Sequence, residues 1–312
     1  MRALFAFLGR HAAACMAGSA VIGLALPELA RLARPLLGPT LVVTITVALV
    51  RIDWTLMAGH ARRPLMVAAV LAWLMLACPL LAWAALAPLG LPVPLYQAMV
   101  LAAASSPVLS NATFALILGL DAALAVVVVV AATALVPLTL PPIAFGLLGM
   151  TLSIDATTFM LRLAALVAGA FAMAWVIRRL AGPGRLARNA TEIDGIAVFN
   201  LVLFMVAVMD GMSALALARP GFVALAVAAA FGFNLVLQGL GAAVAWRAGA
   251  RRALTIAILT GNCNMGLLIV ALGDAADPAL VAYFALAQIP MYTLPALLQP
   301  AYRALLSGRG AA

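Results

Sequence analysis

The residues of this chain best suited to bind a solute or an ion lie in two short polar stretches inside long apolar runs. Residues 105–111 read Ser-Ser-Pro-Val-Leu-Ser-Asn, and residues 260–266 read Thr-Gly-Asn-Cys-Asn-Met-Gly. Hydroxyl and amide side chains donate and accept hydrogen bonds, whereas Pro interrupts a helix and Gly lowers the cost of doing so. Backbone groups freed by such a break cannot face lipid and must line a protein cavity. The two stretches therefore predict a binding site built by two broken helices.

Asn111 and Asn264 are the strongest candidates, because each directly follows the break in its own stretch. The candidate solute-binding residues are Asn111, Asn264, Ser110, Thr113, Asn200 and Gln288. The candidate ion ligands are Asn111, Thr260, Asn262 and Asn264, and the candidate hinge residues of the broken helices are Pro107, Gly261 and Gly266. For Ser105, Ser106 and Gly266, helix packing without any ligand explains the residue types equally well.

The composition of the chain requires a lipid environment. Of the 312 residues, 67% are hydrophobic and 9% are charged, and the mean hydropathy is +1.21. A soluble domain carries about 25% charged residues, so this chain lacks the polar residues to cover a surface that faces water. The composition excludes a soluble enzyme, a nucleic-acid-binding protein and a disordered protein. It predicts an all-α polytopic membrane protein whose partner is the lipid bilayer, with no cofactor.

Ten apolar runs approach the length of about 20 residues that a membrane-spanning helix needs. They cover residues 12–30, 36–50, 64–86, 94–119, 122–149, 157–177, 193–210, 220–246, 252–273 and 279–302. The first run follows Arg2 and Arg10 and therefore also fits a cleaved signal peptide. Because its apolar stretch continues to Leu26, we expect it to be retained as a spanning helix.

The distribution of basic residues predicts the orientation of the chain. All 18 basic residues are Arg; with ten spans, 14 lie on the side of the termini, 3 lie on the opposite side, and Arg162 lies within a span. Loops rich in Arg or Lys stay in the cytoplasm. We therefore expect a protein of the inner (plasma) membrane with both termini in the cytoplasm.

The two halves of the chain resemble each other at a constant offset of 153 residues. At this offset, four residues fall on residues of the same type: Asn111 on Asn264, Asp121 on Asp274, Pro137 on Pro290 and Pro142 on Pro295. The predicted repeats are residues 1–153 and 154–312. Each holds five spans, and an odd number of spans inverts the second repeat in the membrane. Inverted repeats of this kind are typical of secondary transporters, and they place the polar stretches in helices 4 and 9.

The two polar stretches and their surroundings resemble the bile acid:sodium symporter family. The resemblance rests on residues 105–111, on Leu-Gly-Leu-Asp-Ala-Ala-Leu at 118–124, on Thr-Leu-Pro-Pro at 139–142 and on Gly-Asn-Cys-Asn-Met-Gly-Leu at 261–267. It implies ten helices with a crossover of the broken helices 4 and 9. It also implies a panel domain of helices 1, 2, 6 and 7 (about 12–50 and 157–210) and a core domain of helices 3–5 and 8–10 (about 64–149 and 220–302). The implied function is transport of a small organic anion by alternating access.

The positions that bind sodium in that family largely carry other residues here. They fall on Leu74, Ala125 and Leu259, and the Gln of the family's Gln-Asn pair in helix 9 is Cys263. Sodium prefers several oxygen ligands that include a carboxylate, so the coupling ion, Na⁺ or H⁺, stays open. The alternatives are a proton-coupled or uncoupled carrier of the auxin-efflux type and a solute sensor that does not transport. An enzyme is not expected, because no acid, base or metal-binding cluster lies within the spans.

Overall fold

A computed structural model describes residues 12–52 and 64–307. Within these residues every regular element is helical, and the one contact of strand type is an antiparallel bridge between Pro107 and Cys263. In chain order the helices are α1 (Ala12–Ala25), α2 (Pro27–Arg51), α3 (Pro64–Leu89), α4 (Val93–Ala104), α5 (Asn111–Ile117), α6 (Ala122–Leu147), α7 (Ala156–Arg188), α8 (Ala190–Ala218), α9 (Pro220–Ala248), α10 (Ala250–Gly261), α11 (Met265–Leu272), α12 (Pro278–Leu297) and α13 (Gln299–Ser307). Arg2 and Arg10, on which the signal-peptide alternative depends, lie outside the described residues.

Within residues 12–52 and 64–307, seven helices are long and apolar enough to cross a membrane, namely α2, α3, α6, α7, α8, α9 and α12. Many of their large apolar side chains are exposed, such as Leu65 at 85% and Leu217 at 87%. Such extensive apolar exposure is unfavourable in water and favourable in lipid. The predicted all-helical, multi-pass membrane protein is thereby confirmed, whereas the count of ten spans and the inverted repeat stay predictions.

The other three predicted spans correspond to interrupted helices. The span predicted at 12–30 is interrupted at Leu26, which has φ −121° and ψ 73°. Pro27 begins α2, because a helix start tolerates a residue without an N–H group. The span predicted at 94–119 is divided into α4 and α5, and the span predicted at 252–273 is divided into α10 and α11. The last two interruptions coincide with the two polar stretches of the sequence.

The described residues form two compact units. The first unit comprises the residues through Ile52 together with Ala164–Leu225, and the second comprises the rest. The division of the chain into two five-helix repeats, and the panel and core domains that the resemblance implies, stay predictions.

In the first unit, α8 packs against α1 and α2. Ala33, Val206 and Ala207 form a small core that Leu37 extends. At Gly23 the helices are so close that an added Cβ would lie 2.7 Å from Cβ of Met209. Small side chains allow such close approach, which favours helix association in membranes.

Two ion pairs join α2 and α8 within the first unit. Arg51 Nε lies 2.8 Å from Asp194 Oδ1, and Arg34 Nη1 lies 3.0 Å from Asp210 Oδ2. At 1.5 Å per residue, the two aspartates are about 24 Å apart along the helix. The pairs therefore fix the alignment of two antiparallel helices at both ends. Being partly exposed, each contributes little to stability, about 0–1 kcal/mol.

Helix α7 continues beyond residue 177, where its predicted span ends. Arg178 belongs to the helix, and its Nη1 donates to the backbone carbonyls of Val50 (2.7 Å) and Ile52 (3.0 Å). A cation is favourable there, because the carbonyl end of a helix carries partial negative charge. The helix kinks at Gly182, whose φ of 72° is in the left-handed region that Gly adopts without steric cost. The segment between the predicted spans 157–177 and 193–210 is thus largely helical.

In the second unit, aspartates cap helix starts. Asp121 Oδ1 accepts a hydrogen bond from Leu124 N (3.0 Å), and Asp155 Oδ1 accepts one from Thr158 N (2.7 Å). Each bond satisfies one of the free N–H groups of a helix start. Hydrogen bonds from the side chain and backbone of Thr158 also hold the pKa of Asp155 below its usual value. Asp121 and Asp155 therefore act as N-caps of α6 and α7.

We predict that Gly23→Ala lowers the melting temperature of the purified protein. Overpacking against Met209 costs about 1–3 kcal/mol, which exceeds the roughly 1 kcal/mol that Ala gains over Gly in a helix. The matched control is Gly18→Ala on the same helix, where an added Cβ meets nothing within 4 Å. The control is expected to keep or raise the melting temperature. Equal melting temperatures for the two variants would contradict the close approach of α1 and α8.

Candidate functional site

Pro107 accounts for the break between α4 and α5. Proline donates no backbone hydrogen bond and disfavours helical geometry in the residue before it. Helix α4 ends at Ala104, and Ser105 is already extended, with φ −75° and ψ 160°. The next helix begins at Asn111. The interval between these helices is the first polar stretch.

The second break lies between Gly261, the last residue of α10, and Met265, the first residue of α11. Asn262 and Asn264 both leave the helical region, with φ −95°, ψ 81° and φ −82°, ψ 79°. An added Cβ at Gly261 would lie 2.5 Å from Gln238 Cγ and 2.9 Å from the Asn234 carbonyl oxygen. Glycine is therefore required here by the close approach of α9. The hinge roles of Gly261, Pro107 and Gly266 stay predictions.

The two breaks meet as antiparallel extended segments. Val108 N donates to Asn262 O (2.9 Å), and Asn264 N donates to Ser106 O (2.7 Å). The Ser105 hydroxyl donates to Asn264 O (3.1 Å). The sequence predicted that the freed backbone groups line a cavity; several of them instead satisfy one another. This pairing removes most of the cost of breaking two helices in a low-dielectric interior.

Asn111 and Asn262 form a reciprocal pair across the crossing. Asn111 Nδ2 donates to the Asn262 carbonyl oxygen (3.0 Å), and Asn262 Nδ2 donates to Asn111 Oδ1 (3.2 Å). Both side chains are completely buried. The repeat relates Asn111 to Asn264, yet the partner of Asn111 is Asn262, because the antiparallel contact places the carbonyl of Asn262 between the two segments.

Asn264 caps α11. Its Oδ1 accepts a hydrogen bond from Leu267 N (3.2 Å), and the residue is 6% exposed. The side-chain oxygen predicted to contact a solute or an ion thus also satisfies a free N–H group of the helix start. A substitution of Asn264 therefore removes the helix cap together with any contact to a ligand.

Thr260, a candidate ion ligand, has its hydroxyl engaged within the protein. It donates to Ile256 O (2.7 Å) and accepts from Trp73 Nε1 (3.0 Å). A Cβ added at Gly241 would lie 2.5 Å from this hydroxyl oxygen. Trp73 begins a π-helical segment of α3, a local widening that is frequent at functional sites. The role of Thr260 in ion binding stays a prediction.

Three side chains that the sequence did not single out for the site support the second break. Asn234 Nδ2 donates to Gly261 O (2.9 Å) and to Asn262 Oδ1 (3.2 Å). Gln238 Nε2 donates to Asn234 Oδ1 (2.6 Å), and the Tyr302 hydroxyl donates to Gln238 Oε1 (2.6 Å). The sequence does hold one indication of this support: Asn234 and Gln238 are four residues apart and so share one face of an apolar helix.

Four buried polar atoms of the second unit lack a hydrogen-bond partner among the described residues. They are Ser106 Oγ, Ser110 Oγ, Thr133 Oγ1 and Gln288 Nε2. Ser106 and Ser110 belong to the first break. Thr133 is in α6, which packs against α4, α5 and α10, and Gln288 is in α12, which packs against α4 and α11. All four atoms thus lie in the breaks or in helices that contact the broken helices.

Two candidate solute-binding residues, Thr113 and Asn200, do not take part in the hydrogen bonds of the crossing described above. Thr113 is exposed on α5. Asn200 belongs to the first unit, where its Nδ2 donates to Thr40 O (2.8 Å) and Thr44 Oγ1 (2.7 Å). Asn200 therefore joins α8 to α2 through hydrogen bonds, a common role of amides between membrane helices.

Metal-ligating side chains do not cluster in the part of the chain that the structure describes. No group of three or more His, Cys, Asp or Glu side chains within residues 12–52 and 64–307 could hold a metal ion. Cys15, Cys78 and Cys263 are free thiols. The polar groups of the described crossing are accordingly hydroxyls, amides, backbone groups and the Cys263 thiol.

We predict that Asn111→Ala destabilises the protein by about 1–3 kcal/mol, because it leaves Asn262 Nδ2 buried without an acceptor. The matched control is Thr113→Ala, which alters an exposed residue of the same short helix. Thermal unfolding in detergent should show a clear loss for the first variant and little change for the second. Equal unfolding temperatures would show that the Asn111–Asn262 pair does not hold the crossing.

No protein-family model matches this chain. A search of curated proteins found no match either.

Proposed function

We propose that this multi-pass membrane protein is a secondary transporter, not an enzyme, that moves a small organic anion by alternating access. The site would be the crossing of α4–α5 with α10–α11. The observation that carries the proposal is the set of four buried polar atoms without partners, two of them in the first break. Placement in the inner membrane with cytoplasmic termini is proposed on the Arg distribution.

Buried polar groups without partners are costly, about 1–3 kcal/mol each. Most buried polar atoms in proteins are paired, so buried atoms without a partner mark positions where a bound molecule can supply one. Gln288 Nε2 is a donor and suits a carboxylate or carbonyl oxygen. The hydroxyls of Ser106 and Ser110 both donate and accept. A small polar solute with at least one oxygen acceptor would satisfy these groups.

The charge of the crossing favours an anion over a cation. Neither polar stretch contains a carboxylate. Helix α11 begins at the crossing, and the start of a helix carries partial positive charge. Discontinuous helices of transporters use such ends to bind anionic groups of substrates.

Sodium coupling is not part of the proposal. The carbonyl oxygen of Asn262 accepts two hydrogen bonds, and Asn264 O, Ser106 O and Gly261 O each accept one from across the crossing or from α9. These oxygens are therefore engaged, and no carboxylate offsets the cost of dehydrating the ion. The carrier we propose is proton-coupled or uncoupled.

We predict that Gln288→Met keeps or raises the melting temperature of the solute-free protein by removing an unpaired buried amide. The matched control is Gln238→Met, which removes the same residue type where both amide atoms are bonded. The control should lose about 1–3 kcal/mol, since the partners of Gln238 lose their bonds. If both variants lose stability equally, Gln288 is a structural residue and the site is not at the crossing.

The function is tested by uptake into proteoliposomes. Radiolabelled cholate serves as an amphipathic anion and pyruvate as a small one, with NaCl or choline chloride outside. We expect uptake of at least one probe above protein-free liposomes, equal in both salts, and lost in Gln288→Met. Uptake that persists unchanged in this variant would contradict the proposed site. Uptake that requires NaCl would contradict the absence of sodium coupling.

A further inference from the structure

A continuous chain of hydrogen-bonded side chains leads from the C-terminal helix α13 to the crossing. It runs from Tyr302 through Gln238 and Asn234 to Asn262 and Asn111, with the distances given above. All five residues are buried. Among the described side chains of α13, Tyr302 is the buried one, so this residue anchors the helix.

The direction of the chain is fixed at the crossing. The acceptors there are the backbone carbonyls of Gly261 and Asn262, which cannot exchange with a donor as a side-chain amide can by rotating. Asn234 must therefore point its Nδ2 toward the break and its Oδ1 toward Gln238. Gln238 in turn presents Nε2 to Asn234, and its Oε1 requires a donor from elsewhere.

Tyr302 supplies that donor. Its hydroxyl has one proton, which it donates to Gln238 Oε1. Without this proton the Gln238 oxygen is buried and unpaired, and Gln238 loses its preference for the orientation that holds Asn234. Networks of this kind stabilise more than their separate bonds when every member is satisfied.

We infer that Tyr302 is a positioning residue for the crossing: it acts through Gln238 and Asn234 to hold Gly261 and Asn262 in place. The inference rests on the proposed function only in calling the crossing a solute site. Its structural content, that α13 controls the geometry of the second break, is independent of any solute.

Cys263 reports the state of the break. It lies within the second polar stretch, is 2% exposed, and donates its thiol proton to Thr260 O (3.3 Å). In a Cys15→Ser, Cys78→Ala background it is the single thiol of the chain. The rate at which N-ethylmaleimide labels it then measures how often the break opens, because a buried thiol reacts only after local opening.

We expect Tyr302→Phe to raise the labelling rate of Cys263 about fivefold, the effect of losing one hydrogen bond on a local opening equilibrium. The matched control is Tyr96→Phe, which removes a hydroxyl that donates to Trp83 O on the same unit. The control should label at the rate of the background protein. Equal rates for Tyr302→Phe and the background, in protein that remains folded, would overturn the inference.

A double-mutant cycle separates positioning from general stabilisation. Asn234→Leu should itself speed labelling, and adding Tyr302→Phe should then change the rate little, because both residues act through one chain. Independent, additive effects would show that Tyr302 does not act through Asn234 and would overturn the inference.

If Tyr302→Phe does not fold, Tyr302→Phe with Gln238→Leu removes donor and acceptor together and leaves no unpaired oxygen between them. Fast labelling in this variant supports the inference, and labelling at the background rate overturns it. None of these readouts uses a solute. Failed uptake together with accelerated labelling would contradict the proposed function and leave the role of Tyr302 intact.

Discussion

The need to satisfy backbone groups away from water determines the arrangement of the second unit. Within hydrocarbon, an unpaired N–H or C=O group costs several kcal/mol, and each broken helix creates several of them. One antiparallel contact, centred on Pro107 and Cys263, pairs backbone groups of both breaks with each other. The carbonyl of Asn262 is its centre, since it accepts one hydrogen bond from the backbone of Val108 and another from the side chain of Asn111. Each break leaves backbone groups that the other break satisfies, so the two polar stretches form one structural unit.

The hydrogen bonds between helices in the second unit depend on close approach of the helix backbones. Amide side chains are short, and Asn234 reaches the backbone of the break because Gly261 has no Cβ to hold α9 away. Gly241 does the same opposite Thr260. In a membrane, helices gain little from hydrophobic burial against one another, and packing of small residues with interhelical hydrogen bonds takes its place. The same principle acts in the first unit at Gly23 and Asn200. Glycine thus allows two apolar helices to approach closely, and an amide side chain then joins them by hydrogen bonds.

The sequence predicts the class of fold and the positions of the breaks, because both depend on local chemistry. Apolar length indicates membrane helices, and Pro107 and Gly261 mark interruptions. The partner of Asn111 is not predictable in this way, since it depends on how two distant segments align. The role of Tyr302 is not predictable either, because its partner Gln238 lies 64 residues away along the chain, in another helix. The continuation of α7 past its predicted span is not predictable locally for a related reason, because the acceptors of Arg178 are the carbonyls that end α2.

Gln238 and Gln288 differ in their hydrogen-bond partners, and we propose different roles for them. Both are glutamines buried in apolar helices of the second unit. Gln238 has a donor and an acceptor in contact and so fixes the backbone on which the crossing depends. Gln288 keeps its amide nitrogen without a partner among the described residues, and a sequence selected for stability alone would replace it with an apolar residue of similar size. In the transporter proposed above, an oxygen atom of the solute would complete the hydrogen bonding of this nitrogen. In that proposal the bonds of Gln238 and Asn234 would preserve the crossing while the solute binds and leaves, and the unpaired nitrogen of Gln288 would serve the solute.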